Sequence, residues 1–560
     1  VSASETAIFF HSDAVESEGK DLVGRRSAGQ SFLKGYLRHV PGETVRAVTE
    51  TAKAAETFQK IARDLGETRR LRVDTLRNSG EFQSAGSIFF PGPGYLNAAW
   101  RRQKVGGASC SLVGITHTVS TRRVIEGLHQ LQLEPVEPWD AIICTSRAVQ
   151  SVVRTQFELE AEYIRQRFGA TRVPQPQLPL IPLGIHAEDF APDPAFRAQM
   201  RSRFEVTEDA IVVLSVGRLS LAEKANPVPL FLALEHLAAR VARPIHLWMV
   251  GWAGRDVEER LHKAGPKALC PSVTARIIDG RDPQIRRSIW SGADIFTLPV
   301  DNIQETFGLV PIEAMAAGLP VVMPDWNGFR DTIRHGETGI LVPTRMIRPG
   351  VGARMAERFA DGTDDYLRYL MMVQQHTQID IPAYVDALAA LADNAELRHR
   401  MGAAGRAHVA AQFDWSAVIP QYLDLAHELG AMRVGAQPTT PHLPSGAASP
   451  IEVDPFRLYA DYPTSALSPD TLVTAPAKVT PARLAELDKL NGRDAYNRRI
   501  AKDENVLALA QIIHEAGPMT IADLRTRLNS TAPSIEGIVL LLAKFDLVRL
   551  SPLGPRAALT

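Results

Sequence analysis

The chain has 560 residues, 45% of them hydrophobic, and a formal net charge of −1. That length exceeds one ordinary domain, and the apolar share is ample for several cores. The near-neutral balance excludes a bulk electrostatic pull toward nucleic acid or anionic lipid. Cys110, Cys144 and Cys270 stand far apart with no Cys-x-x-Cys. Reduced, buried thiols in a cytoplasmic protein are therefore expected, with a catalytic thiol the remoter option. Neither a signal-peptide pattern nor an uninterrupted apolar run of about 18 residues is seen, so no membrane-spanning helix is expected.

The first apolar run, 7–10, predicts a buried strand. A glycine loop, 24–29, follows it, and then a helical pattern carried by Phe32, Leu33, Tyr36 and Leu37. A helix over 51–65 alternates with strands at 87–90, 112–116 and 141–144. Such alternation predicts a parallel sheet covered on both faces. Residues 180–190 are punctuated by Pro and Gly without a period and read as a hinge between lobes. A second alternating series then begins. Its strands are expected at 210–216, 245–250, 275–278, 293–300, 321–323 and 339–343, and its helices at 229–239, 258–264 and 286–292.

From 355 to 412 the pattern is largely helical, and Phe413-Asp-Trp-Ser416 caps a further helix over 418–429. Residues 433–500 read as a linker, rich in Pro, Ala and Thr in its first part. Helical patterns at 503–515, 520–528 and 533–545 and a short apolar end at 547–550 complete the chain. Thr520 fits an N-cap with Asp523 as the acid of the first turn. The order helix, helix, helix, strand suggests a winged-helix-like module over 501–560.

Four features carry chemistry. The first is Glu305-Thr-Phe-Gly-Leu-Val-Pro-Ile-Glu313, at the end of the 293–300 strand. Pro311 suits a first helical position, which leaves the N–H groups of Phe307, Gly308, Leu309 and Val310 at a helix N-terminus, where an anion is favoured. Glu305 then lies at the carboxyl edge of a sheet, where open α/β folds place ligands. Glu313 has two readings, a ligand contact or simple complementarity to the helix dipole. The second feature is Gly217-Arg218 with Lys224 at another strand end. It is either a diphosphate grip or a solvated surface. No Asp-x-Asp occurs in the chain. That disfavours a metal-bridged diphosphate and leaves Arg218 and Lys224 to neutralise a leaving group.

The third feature is the loop Gly24 to Gly29, a generic phosphate loop or an ordinary turn. Its Arg25 and Arg26 are either acceptor contacts or solvated cations. The fourth is His117, at the end of the 112–116 strand and on the same crevice edge. A structural and a functional role are equally open to it.

Together these features resemble the retaining GT-B glycosyltransferases of family 4, the group of sucrose synthase and bacterial mannosyltransferases. The resemblance rests on the Glu-x7-Glu with its Phe-Gly-Leu core, on Gly217-Arg218 with Lys224, and on Gly336-Glu-Thr-Gly339-Ile-Leu-Val. The Leu183-Gly-Ile hinge and the Phe413-Asp-Trp helix start add to it. It covers about 5–430, and the second lobe matches more specifically than the first.

The resemblance implies two Rossmann-like lobes facing a cleft: an acceptor lobe, 1–190, completed by a crossover helix, 413–430, and a nucleotide-sugar lobe, 191–412. It casts Glu305, His117, Arg218 and Lys224 as catalytic. Gly29, Phe307, Gly308, Leu309, Val310 and Glu313 become donor-binding residues. Arg218 and Lys224 would hold the diphosphate, Glu313 the ribose hydroxyls, and Glu305 and His117 the donor sugar.

The loop Gly-Arg-Arg-Ser-Ala-Gly departs from the family's paired-glycine loop. Residues 363–386 are longer than the usual connection and have no assigned role.

Glu305 is a tempting nucleophile, since retaining glycosidases set two carboxyls about 5 Å apart. The resemblance implies instead a metal-independent front-face displacement, in which the departing phosphate oxygen deprotonates the acceptor. Catalysis is then positioning and charge stabilisation. A nucleotide-sugar donor and a hydroxyl acceptor (glycan, lipid-linked or small molecule) are the expected partners, with no cofactor and no metal.

The alternative reading is a sugar-responsive regulator or scaffold acting through the C-terminal module. Between 501 and 560 six cations are balanced by six carboxylates. A duplex reader should show a basic face, so protein–protein contact or dimerisation is expected rather than DNA binding.

Overall fold

The structure, a computed structural model, describes residues 5–11, 24–77, 80–438, 449–492, 500–528 and 534–551. The chain divides into two compact units, 1–448 and 449–560.

In the first unit β1 (Thr6–Phe10), β2 (Thr44–Thr49), β3 (Arg70–Thr75), β4 (Ser87–Phe89), β5 (Ser111–Ile115) and β6 (Ala141–Ile143) form one parallel sheet, ordered β3-β2-β1-β4-β5-β6. A second parallel sheet holds β7 (Ile211–Val216), β8 (Ile245–Gly251), β9 (Thr274–Asp279), β10 (Ile295–Thr297), β11 (Val321–Pro324) and β12 (Gly339–Val342), ordered β12-β11-β10-β7-β8-β9. Alternate residues of one strand enter different cores. Val212 and Leu214 join one cluster and Ile211 and Val213 another, as a strand covered on both faces requires. In the first lobe Ile8 and Phe10 separate in the same way from Ala7 and Phe9.

Strand order reverses at β1/β4 and again at β7/β10. These are the switch points where the carboxyl ends of an open parallel sheet leave a crevice for a ligand.

The chain crosses between lobes twice, side by side. Ile185 of the hinge takes part in two backbone bonds with the later crossing, Ile185 N–H to Phe413 O at 2.8 Å and Trp415 N–H to Ile185 O at 3.1 Å. Helix Trp415–Arg433 then returns to the first lobe, where Trp415, Ile419 and Tyr422 share a core with Ile8, Leu33 and Phe89. Only glycine fits under the Trp415 ring. A Cβ would lie 2.4 Å from it at Gly35 and 2.5 Å at Gly184.

Two readings change. Gly24–Gly29 is not a loop but the start of helix Gly24–His39, and the side chains of Arg25 and Arg26 lie outside the described residues. Strands β2 and β3 went unrecognised because Thr-Val-Arg-Ala-Val-Thr and Arg-Leu-Arg-Val-Asp-Thr lack a continuous apolar run. The span 355–412 is largely helical, as expected, and also holds one short strand. A short antiparallel pair, β13 (Thr344–Met346) and β14 (Thr377–Ile379), brackets an insert with helices Ala353–Ala360 and Tyr366–Gln374.

The second unit contains β15 (Leu472–Thr474), β16 (Met519–Thr520) and β17 (Arg549–Leu550) in an antiparallel sheet ordered β16-β15-β17. Helices Pro481–Leu490, Asp503–Ala516, Ile521–Arg527 and Ser534–Lys544 accompany it, while Pro533, where the last was expected to start, lies outside the described residues. Thr520 and Asp523 form the expected cap as a reciprocal capping box. Val473 and Leu484 belong to this unit's core, so part of the span 433–500 is built structure rather than linker. Three-residue strands are too short to show a period against a Pro- and Thr-rich background.

Candidate donor site

The two halves of the site hang from the strands that flank the second switch point. After β7 the chain turns through Gly217 into the loop carrying Arg218 and Lys224. After β10 it runs into the 301–308 turn. At the end of β8, a Cβ on Gly251 would stand 1.8 Å from the Gly217 carbonyl oxygen, so the strand ends meet backbone to backbone.

Glu258 fastens the first loop from below. Its buried carboxylate accepts the Ser220 hydroxyl at 2.9 Å and the Leu221 N–H at 3.1 Å. Asp301 holds the far end by accepting the Asn226 N–H at 3.2 Å, and burial pushes its carboxyl up to about 7. Neither cation stands alone. Arg218 Nη1 lies 3.0 Å from Glu223 Oε2, and Lys224 Nζ lies 3.1 Å from Glu305 Oε2.

The turn is shaped by Asn302, whose Oδ1 accepts the N–H groups of Gln304 at 2.9 Å and Glu305 at 3.3 Å. Asn327 closes the other side, its Nδ2 donating to the Glu305 carbonyl at 2.7 Å. Burial pushes the Glu305 carboxyl up, but Lys224 and the N–H groups of Thr306 and Phe307 outweigh it and hold the group below its ordinary value. Glu305 is therefore an anion pinned by a cation.

Gly308 has φ +85°, and a Cβ there would stand 2.2 Å from the Phe329 ring, so the turn admits only glycine. Gly308 caps helix Leu309–Ala316, which places Pro311 third in the helix rather than first. Proline is still tolerated because no N–H of that turn has an intrahelical partner. The amides of Gly308, Leu309 and Val310 donate to no protein group among the described residues. The Phe307 N–H instead faces Glu305, and its ring is buried against Phe413 at 6.1 Å.

Glu313 is the fifth residue of that helix, and the first turn holds no acid, so dipole complementarity does not explain it. Burial raises its carboxyl to about 7 against the opposing pull of Lys224.

The first-lobe candidates come to the same place. His117 follows β5 and lines one cavity with Gly29 and Leu309. Its carbonyl accepts the Thr306 hydroxyl at 2.6 Å, and the Ser146 hydroxyl donates to the Thr306 carbonyl at 2.7 Å. Thr306 thus touches the first lobe twice. Asp301, Asn302, Thr306 and Asn327 were not singled out from the sequence. Only Asn302, two residues before Gln304, carried a local signal, that of an Asx turn.

Two parallel six-stranded sheets with their switch points turned to a shared cleft, and an acidic turn clasped to a lysine at the second of them, give the two-lobed GT-B arrangement. The family described as "Glycosyl transferases group 1" matches residues 210–361. The GDP-mannose-dependent alpha-(1-6)-phosphatidylinositol monomannoside mannosyltransferase of Mycobacterium tuberculosis is 28% identical over 427 residues, 72% of this chain and 95% of that protein. The D-inositol 3-phosphate glycosyltransferase of Streptomyces bingchenggensis is 28% identical over 269 residues, 45% of this chain and 56% of the relative. Among solved structures, Anabaena HepE in complex with UDP superposes with a TM-score of 0.46 at 15% identity, over 75% of this chain and 98% of that one. The chain is a nucleotide-sugar-dependent glycosyltransferase similar to these enzymes, and its residues 210–361 match the group 1 family. No described helix is long and apolar enough to cross a membrane.

Proposed function

We propose that the chain transfers a mannosyl group from GDP-mannose to a hydroxyl of an inositol-containing acceptor. The activity named for the mycobacterial relative supports that donor, and those of the mycobacterial and streptomycete relatives support that acceptor class. The observation that carries the site assignment is the Lys224–Glu305 pair beside three unpartnered turn amides. Arg218 and Lys224 hold the diphosphate, exchanging part of their pairing with Glu223 and Glu305 for it. The amides of Gly308, Leu309 and Val310 take phosphate and sugar oxygens. Glu313 accepts the ribose hydroxyls, and Phe307 supports the turn by packing. The second lobe carries the donor. The first lobe presents the acceptor, with His117 and Gly29 on the facing wall.

The acceptor oxygen–C1 bond forms on the face from which the C1–phosphate bond breaks, and the acceptor proton passes to the departing phosphate oxygen. The leaving charge falls on the two cations, so no metal is needed. Glu305 orients the donor sugar and its lysine rather than attacking. The three cysteines, buried and unpaired, support a cytoplasmic site of action.

GDP-mannose at about 100 times its Kd should stabilise the protein by roughly 2.7 kcal/mol, with UDP- and ADP-sugars doing less. Mannosyl transfer to phosphatidylinositol vesicles or to inositol 3-phosphate then separates lipid from soluble acceptor. Stabilisation by none of these nucleotide-sugars would end the donor reading.

For the C-terminal unit we propose contact with another protein. Its balanced charge argues against duplex binding, and Ile451, Phe456 and Tyr462 are each more than 80% exposed. Salt-sensitive duplex binding by the full chain would reverse this.

A further inference from the structure

The insert between β13 and β14, residues 347–376, lies outside the donor chemistry yet is bonded to both loops of the candidate donor site and to the first lobe. Its base is the antiparallel pair Thr344–Met346 with Thr377–Ile379. From helix Tyr366–Gln374 two side chains reach inward. Gln374, 6% exposed, donates its amide to Asp301 Oδ1 at 2.7 Å and to the Leu221 carbonyl at 2.8 Å. The first partner heads the donor turn, and the second belongs to the Lys224 loop.

The Tyr366 hydroxyl donates to Gln304 Oε1 at 3.2 Å and lies 2.8 Å from Ser120 Oγ, on the first lobe three residues beyond His117. With the phenol proton on Gln304, Ser120 is the donor of the second bond. Gln304 in turn donates to the Glu223 carbonyl at 3.2 Å, and Glu223 is the partner of Arg218. A second strand of contact runs from the Arg122 guanidinium to the Ala360 carbonyl at 3.0 Å.

We infer that the 347–376 insert is a strap, with Tyr366 and Gln374 as positioning residues that hold the donor turn and the Lys224 loop in register with the His117 loop of the other lobe. The inference rests on the donor-site assignment above for its catalytic consequence. Neither residue touches the reacting atoms. Gln374 acts within the second lobe through Asp301, whereas Tyr366 acts across the cleft through Ser120. The two should therefore fail differently.

Amide hydrogen exchange on the ligand-free full chain decides the mechanical part. Tyr366→Phe keeps the ring beside Phe359 and removes only the hydroxyl. It should raise exchange in peptides spanning 117–124 and 301–306 together by about three- to tenfold, the scale of one hydrogen bond. Ser120→Ala should do the same, and the double variant should add nothing further. Gln374→Leu should loosen 301–306 and 219–226 while leaving 117–124 protected. With GDP-mannose as probe, Tyr366→Phe should lower kcat by a similar factor and leave the donor KM within twofold, since only lobe register is disturbed.

Exchange changes confined to 366–374, or additive effects of Tyr366→Phe and Ser120→Ala, would overturn the strap. A wild-type protein that fails to bind GDP-mannose would refute that donor, while the exchange result would still decide the strap.

Discussion

Lys224→Met is expected to lower nucleotide-sugar turnover at least a hundredfold, on the scale of losing one preorganised charge partner in a transition state. Arg218→Ala should cost a similar factor, since the proposed assignment puts the leaving diphosphate on both cations. Lys224 has a second duty that makes its loss diagnostic. Burial alone would push the Glu305 carboxyl up, and Lys224 is the largest of the groups that reverse this.

The sign follows from linkage. In the wild type the folded carboxyl lies below its ordinary value of 4.5, so the pair contributes stability above that pH and loses it as pH falls through the folded value. Without the lysine the folded value rises above the unfolded one, and the penalty then grows as pH rises. Lys224→Met should be about 1–3 kcal/mol less stable than wild type at pH 8, the cost of an unpaired, mostly buried polar group, and should recover toward pH 5 as Glu305 takes up a proton. Adding Glu305→Gln should restore stability at pH 8 but not turnover. Denaturant melts at the two pH values, with turnover measured alongside, separate the two duties. Near-normal turnover in both Lys224→Met and Arg218→Ala would sink the diphosphate assignment.

Much of this arrangement was legible because its signals are local. Apolar runs such as 211–216 and 245–251 can only be strands buried on both faces, and their spacing by helical patterns calls for a parallel sheet. Glycine at 308 announced a turn that no side chain could fill, and the carboxylates either side of it pointed to a ligand. What stayed hidden was partnership at long range. Nothing in the neighbourhood of Arg218 or Lys224 predicts that each is clasped by a glutamate, one of them 81 positions away. Tyr366 lies in a span whose pattern reads only as largely helical, and its meaning comes from Ser120, 246 residues earlier. Local pattern also misread Gly24 to Gly29. Glycine suggested a loop, yet the run continues directly into helix Gly24–His39. The dipole reading of Glu313 depends on Pro311 at the first helical position, whereas Gly308 sets the cap two residues earlier than that reading allows.

That shift gives Glu313 its own expected signature. Its carboxyl sits at about 7, raised by burial, and accepts no hydrogen bond from a described protein group. The folded group therefore holds its proton through a range where the unfolded chain, at 4.5, has lost it. Stability from this residue is fully present below 4.5 and is lost as pH rises through about 7. Glu313→Gln should accordingly match wild type near pH 4.5 and exceed it at pH 8 by about 1–3 kcal/mol. The full shift would give somewhat over 3 kcal/mol, and partial exposure to the cleft reduces it.

Donor affinity should move the other way. In the proposed assignment ribose hydroxyls donate to the charged carboxylate, so nucleotide binding should favour loss of the proton and pull the carboxyl down. Wild-type affinity for GDP-mannose should then rise between pH 6 and 8 with release of a proton, while Glu313→Gln shows no such rise. At pH 8 the variant should bind about tenfold more weakly despite its greater stability, because hydrogen bonds to a charged group are worth about 1.5–3 kcal/mol. Calorimetry in buffers of different ionisation heat reads the proton directly. A wild-type protein that binds donor without proton release, with the same pH profile as Glu313→Gln, would remove Glu313 from the ribose site and leave its raised carboxyl a cost of packing alone.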